Sequence, residues 1–215
     1  MKKIGVLGSG VVGKVLSAGF KNHGYDVMIV SRDPAKLQEW METDGQVDKS
    51  GTFEETAAFG DILVLATKGT AALDALKLAG AASLNGKTVI DATNPIADSP
   101  PDNGVLKFTT SLDRSLMEDL QDAYPEGNFV KAFNSVGNAF MVDPDFGGIK
   151  PTMFIAGNNE NAKADVRSIL DEFGWETEDM GGAEAARAIE PLCILWCIPG
   201  FRSNQWSHAF KLLKH

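Results

Sequence analysis

The segment Gly8-Ser9-Gly10-Val11-Val12-Gly13 follows directly on a short apolar run, Lys3-Ile4-Gly5-Val6-Leu7. Beyond it Val12, Val15, Leu16 and Phe20 recur at helical spacing, and Gly24 stands where a helix of that phase would end. Glycines at the spacing G-x-G-x-x-G between a strand and a helix restrict the local fold severely. Gly8 allows a tight turn out of the strand, Gly10 lets a phosphate approach the backbone, and Gly13 lets the helix pack closely on the strand. A phosphate then meets the helix N-terminus, where free N–H groups and the peptide dipoles favour negative charge. The pattern predicts the first βαβ unit of a dinucleotide-binding domain.

The rest of the chain repeats that alternation. Val27 to Val30, Ile62 to Ala66, Thr88 to Ala92, Phe129 to Phe133 and Met153 to Ala156 read as strands. Between them, Thr70 to Ala79 and Asn159 to Phe173 read as helices, and Asp33-Pro34 as a helix start. Strands that are apolar throughout and separated by helices form a parallel sheet covered on both faces. The expected class is therefore α/β, a Rossmann-type, doubly wound and mostly parallel sheet. Pro95 to Gly104, rich in Pro, Asp, Ser and Asn, reads as a long loop. After Gly181-Gly182 the composition turns helical, from Ala183 to Trp196 with a break at Pro191, then from Gln205 to Lys214. Two units follow: a nucleotide-binding domain over residues 1–181 and a small C-terminal helical lobe over 182–215 that closes the cleft.

The end of the second strand selects the nucleotide. An NAD site places an Asp or Glu there for the ribose hydroxyls, whereas this chain has Ser31 and Arg32, with Lys36 one helical turn on. A hydroxyl, a guanidinium and an ammonium suit a 2′-phosphate. Asp33 competes as a ribose ligand but reads better as the N-cap before Pro34, since it stands late for the ribose. Further strand ends carry Thr67-Lys68, Asn94-Pro95 and the segment Ala132 to Asn134, the positions at which ligands bind in a doubly wound sheet. Asn94 and Asn134 offer hydrogen bonds to a carboxamide or a ring carbonyl. No Tyr-x-x-x-Lys pair, nucleophile elbow, metal cluster or His–carboxylate relay stands out, so no catalytic acid is assigned and no metal is expected. Such a site suits hydride exchange between two rings, which needs positioning above all.

Composition narrows the partners. The 215 residues carry a net charge of −9, which repels a nucleic-acid backbone, and the longest apolar run, Pro191 to Gly200, is too short for a bilayer. The chain moves from Met1 straight into a strand, and the expected address is the cytosol. Cys193 and Cys197 fall on successive turns of one apolar helix and read as small core hydrophobes. So apolar a C-terminal stretch needs cover, from this chain or from a second copy in a homodimer.

These segments together resemble the coenzyme F420-dependent NADP reductases. The resemblance rests on Ile4 to Gly10, Ser31-Arg32 with Lys36, Val89 to Pro95, Val130 to Asn134 and Ala188 to Leu192. It implies that Ser9, Gly10, Val11 and Val12 bind the NADP pyrophosphate, and that Ser31, Arg32 and Lys36 bind its 2′-phosphate. It also implies a nicotinamide near Asn94-Pro95 and Ala132 to Asn134, with coenzyme F420 or a flavin stacked beside it. Two other functions stay open on the residues. One is an imine or ketone reductase, similar at the N-terminus to the pyrroline-carboxylate reductases; the other is a non-catalytic NADP(H)-sensing module.

Overall fold

A computed structural model describes residues 2–30, 34–45 and 47–214. Six strands form one parallel sheet: β1 (Lys3–Leu7), β2 (Asp26–Val30), β3 (Lys49–Gly51), β4 (Ile62–Leu65), β5 (Thr88–Asp91) and β6 (Asn128–Lys131). Their order is β3-β2-β1-β4-β5-β6, the Rossmann arrangement. The chain runs outward from β1 to one edge, returns to β4 and runs outward to the other. That reversal opens a crevice between the carboxyl ends of β1 and β4, where Leu7 pairs with Leu65.

Helices cover both faces, as unbroken apolar strands require. On one side α1 (Val11–Asn22) and α6 (Glu160–Glu172) bury Leu16, Phe20, Val166 and Ile169 against Ile4, Val6, Ile29 and Val130. On the other, α3 (Phe53–Phe59), α4 (Ala72–Ala79) and α5 (Leu116–Ala123) bury Ala57, Leu76 and Leu120 against Leu7, Leu63, Leu65 and Val89. The short α2 (Pro34–Trp40) follows β2. Thr52 and Ser115 cap α3 and α5 in capping boxes with Glu55 and Glu118, and Asn159 caps α6.

Past β6 a second, two-stranded parallel sheet joins β7 (Thr152–Ile155) to β8 (Glu176–Asp179) across α6. It abuts β6 through an antiparallel bridge in which Lys131 N–H donates to the Ala156 carbonyl at 2.9 Å. The C-terminal region is helical, as α7 (Ala186–Ile189) and α8 (Pro191–Ser203). Pro191 opens α8 instead of interrupting a helix, because its ring suits the first helical position. No helix forms from Gln205 to Lys214, contrary to the sequence reading. Asn204 takes a left-handed φ of 51° and ends α8, and the following chain bonds to the rest of the protein instead of to itself. Trp196 Nε1 donates to the His208 carbonyl at 2.8 Å, and Thr152 N–H to the Phe210 carbonyl at 2.8 Å. Among the described residues no helix is long and apolar enough to cross a membrane.

Candidate functional site

The glycine loop lies at the crevice, and its three glycines have different tasks. Gly8 has φ of 148°, and a Cβ there would stand 2.2 Å from the Ala66 carbonyl oxygen, so the turn out of β1 requires glycine. At Gly13 a Cβ would fall 1.9 Å from the Gly8 oxygen, so close helix–strand packing requires glycine there too. Gly10 differs: its backbone is extended and a Cβ would meet nothing within 4 Å. Among the described residues nothing crowds a side chain at Gly10, so neither the turn nor the packing accounts for the glycine there.

The helix that Gly10 opens has a bare N-terminus. No side chain caps α1, and no acidic residue stands in its first turn, unlike the capped α3, α5 and α6. Free N–H groups and the peptide dipoles at such a turn favour negative charge. Ser9 and Val11 remain accessible beside it.

A cavity of about 570 Å³ runs from this loop along the crevice. Gly8, Ser9 and Gly10 form one wall, Thr67 and Lys68 after β4 another, and Ala71, Ala75 and Leu78 an apolar side suited to a flat ring. Lys68 is exposed and pairs with Asp98 at 3.4 Å. The Thr67 hydroxyl is buried and has no hydrogen-bond partner among the described residues. Val30, the last described residue of β2, also lines this cavity. Ser31, Arg32 and Asp33, which follow it, lie outside the described residues, and Lys36 is described only as part of α2.

The ends of β5 and β6 bring Asn94 and Asn134 together. Asn94 Nδ2 donates to the Asn134 carbonyl at 2.8 Å, and Asn134 Nδ2 donates to Asn94 Oδ1 at 3.2 Å and to the Ile189 carbonyl at 3.0 Å. Two carbonyl-type acceptors fix which end of the Asn134 amide is nitrogen. Its Oδ1 is left buried without a partner among the described residues. Phe133, beside it, is held at φ of 62°, an unfavourable value for a bulky residue. That turn keeps the Phe133 ring in the core, tilted against Phe173 at 6.2 Å. Pro95 accepts from Thr109 N–H at 2.7 Å, and Ala132, fully buried, passes its N–H to the Asp91 carbonyl at 3.1 Å.

Beneath this pair is a charge cluster that sequence reading missed. Lys131 Nζ lies 2.6 Å from Asp91 Oδ2 and 2.9 Å from Glu190 Oε1, with all three side chains buried. It also donates to the Thr93 carbonyl at 2.9 Å. Burial opposes the ammonium, but Asp91 and Glu190 outweigh it and hold Lys131 above the ordinary lysine value. Glu190, between α7 and α8, accepts from Leu116 N–H and Met117 N–H, both at 3.0 Å, and so caps α5 from elsewhere in the chain. A signal was available: Asp91 and Lys131 each end an apolar strand, and they are register partners on adjacent strands.

The remaining candidates lie apart from the crevice. His23 pairs with Asp143 at 3.1 Å, and His208 Nε2 sits 2.9 Å from the Trp196 carbonyl. Hydrogen bonding with Cys197 and burial push the Cys193 thiol above its ordinary range, consistent with an inert core cysteine. Among the described residues no group of three His, Cys, Asp or Glu side chains could hold a metal.

Known proteins bear on this geometry. The family model described as NADP oxidoreductase, coenzyme F420-dependent, matches residues 3–95. A protein from Arthrobacter sp. FB24, proposed to be an F420-dependent NADP-reductase, is 30% identical and superposes with a TM-score of 0.91, over 100% of both chains. Metalloreductase STEAP3 of Rattus norvegicus is 28% identical over 203 residues, which span 92% of this chain and 38% of that protein. An imine reductase from Aspergillus terreus, 15% identical with a TM-score of 0.67 over 95% of this chain and 63% of that one, shares the fold alone.

Proposed function

The chain belongs to the coenzyme F420-dependent NADP oxidoreductase family, and on that premise we propose that it exchanges a hydride between NADP(H), held across the crevice, and a planar deazaflavin or flavin ring. The observation that carries the nucleotide half is the bare N-terminus of α1 behind Gly10, a glycine with an ordinary φ and open space beside it among the described residues. Buried acceptor and donor atoms without partners at Thr67 and Asn134 support the same reading. In it, Ser9, Gly10, Val11 and Val12 hold the pyrophosphate, with Gly8 and Gly13 shaping the loop. Ser31, Arg32 and Lys36 hold the 2′-phosphate. Thr67 and Lys68 line the passage between the two halves, and the adenine lies along Ala71, Ala75 and Leu78. Asn94, Pro95, Ala132 and Asn134 orient the nicotinamide carboxamide.

Bound NADPH supplies a hydride from nicotinamide C4, and a deazaflavin or flavin accepts it with a solvent proton on its own ring. The protein then needs to align two planes with reacting carbons about 3–3.5 Å apart and to keep water from between them. Reduction of an imine or ketone makes a further demand, a proton delivered to nitrogen or oxygen at the reacting carbon, a contribution of about 10²–10⁴-fold. Among the described residues Lys131 is the titratable donor nearest in sequence to Asn134, and it is fully engaged by Asp91, Glu190 and the Thr93 carbonyl, which favours the ring-to-ring reading. Residues 1–181 serve as the nucleotide domain, and the helices within 182–215 border the acceptor side. Leu195 and Phe201 stay exposed on α8 and support pairing of two copies there, which sedimentation checks.

Titration calorimetry with NADP and NAD, followed by turnover against deazaflavin, flavin and ketone acceptors, tests the assignment. The expected result is preference for NADP and turnover with ring acceptors alone. Equal affinity for the two nucleotides, or ketone turnover, contradicts it.

A further inference from the structure

The cluster of Asp91, Lys131 and Glu190 has no direct part in the chemistry proposed above, yet it is an unusual thing to bury. Two carboxylates and one ammonium leave a net charge of −1 among side chains that are 0–2% exposed. Such groups contribute little net stability, because desolvation offsets most of their attraction. Their geometry is more informative. Two of its members, Asp91 and Lys131, bind the residue that precedes Asn94. Lys131 Nζ holds the Thr93 carbonyl at 2.9 Å, and Asp91 Oδ1 accepts from Thr93 N–H at 2.9 Å and Thr93 Oγ1 at 2.6 Å. Thr93 is thus gripped at three atoms, one residue before Asn94. Asp91 Oδ2 meets Lys131 as an ion pair only, its angle lying outside hydrogen bonding.

On the other flank, Glu190 is fixed by Lys131 and by two N–H groups of α5, one residue after Ile189. The Ile189 carbonyl and Asn94 Oδ1 are the two acceptors that set the Asn134 amide. We propose that Asp91, Lys131 and Glu190 form a positioning device that fixes Thr93 and Ile189 and thereby holds the Asn94–Asn134 pair in one geometry at the nicotinamide site. The three residues act through Asn94 and Asn134 and touch no reacting atom. The inference rests on the nicotinamide site proposed above.

The test uses the full chain and NADPH itself. Titrations follow the Kd and the nicotinamide fluorescence of each bound NADPH, for wild type, Glu190→Gln, Asn134→Ala and the double variant, with single-turnover hydride transfer to a flavin measured alongside. Glu190→Gln keeps one acceptor for Leu116 or Met117 and leaves Asp91 with Lys131 as a neutral pair; Lys131→Met is the harsher companion. The expected Kd stays within about threefold of wild type, because the phosphates carry the binding. The fluorescence change of bound NADPH and the transfer rate should each fall about tenfold in Glu190→Gln. The double variant should fall no further than Asn134→Ala alone, since one acts through the other. Independent action predicts about a hundredfold loss in the double variant, and that result overturns the proposal. So does a folded Glu190→Gln with wild-type fluorescence and rate, and so does failure of Glu190→Gln to fold, which would assign the cluster to stability. Absence of NADPH binding by the wild type refutes the nucleotide site itself, and the positioning role with it.

Discussion

Replacing Gly10 by valine separates what the glycine loop does for the protein from what it does for a ligand. Gly10 has an extended backbone at φ −74° and ψ −176°, and a Cβ there would meet no atom of the described residues within 4 Å. The substitution should therefore change stability by no more than about 0.5 kcal/mol, as at an ordinary surface position. For a phosphate seated on α1 the same branched side chain occupies the contact surface. Loss of two charge-assisted hydrogen bonds at about 1.5–3 kcal/mol each removes about 3–6 kcal/mol. NADPH affinity should then fall by about 10²–10⁴-fold. Gly13→Ala is the control with the opposite expectation, because its Cβ would fall 1.9 Å from the Gly8 oxygen. Overpacking of about 1–3 kcal/mol should lower its Tm by roughly 2–12 °C. Thermal melts by circular dichroism and NADPH titrations read both effects. A natively folded Gly10→Val that binds NADPH within tenfold of wild type refutes the phosphate site at α1.

Arg32→Ala should weaken NADP binding about ten- to a hundredfold and leave NAD binding nearly unchanged, since one charge-assisted bond of about 1.5–3 kcal/mol goes with the guanidinium; calorimetry giving equal losses for both nucleotides contradicts a 2′-phosphate role. The Glu118 carboxyl is held down to about 2 by its Arg187 hydrogen bonds, which outweigh its burial, with Ser115 assisting. A depressed folded value means stability that is present above the ordinary 4.5 and lost as the pH falls toward about 2. Urea midpoints should thus decline more steeply with acidification in wild type than in Glu118→Gln across that window, and parallel declines count against the Arg187 contact.

The doubly wound sheet was legible because its strands state their environment. Ile62 to Leu65 and Thr88 to Asp91 are buried throughout, and such runs admit little but a covered parallel strand. β3 and β8 were not legible: Lys49-Ser50-Gly51 is three residues with no apolar run, and Glu176-Thr177-Glu178-Asp179 reads as a solvated turn. Only the neighbouring strand and α6 make Glu176–Asp179 a strand. α5 was hidden because its apolar positions occupy one short stretch, Leu116, Met117 and Leu120, after a long loop. The reading of Gln205 to Lys214 as a helix failed because Thr152 and Trp196 bond that backbone from outside. At the site, the glycine spacing and the strand-end asparagines announced themselves locally. The Asp91–Lys131–Glu190 cluster joins residues 40 and 59 positions apart, and its meaning appears only once β5 and β6 are paired and Glu190 is brought onto them.

The central claim is hydride transfer from NADPH to a planar ring, and following the transferred atom tests it most directly. Stopped-flow mixing of the protein with NADPH deuterated at nicotinamide C4 and an excess of a deazaflavin or flavin gives both the rate and, by mass spectrometry, the destination of the deuterium. With a deazaflavin acceptor the predicted result is a slowed transfer and deuterium on the reduced ring. No transfer to either ring, together with deuterium on the carbinol carbon of a simple ketone, would contradict it.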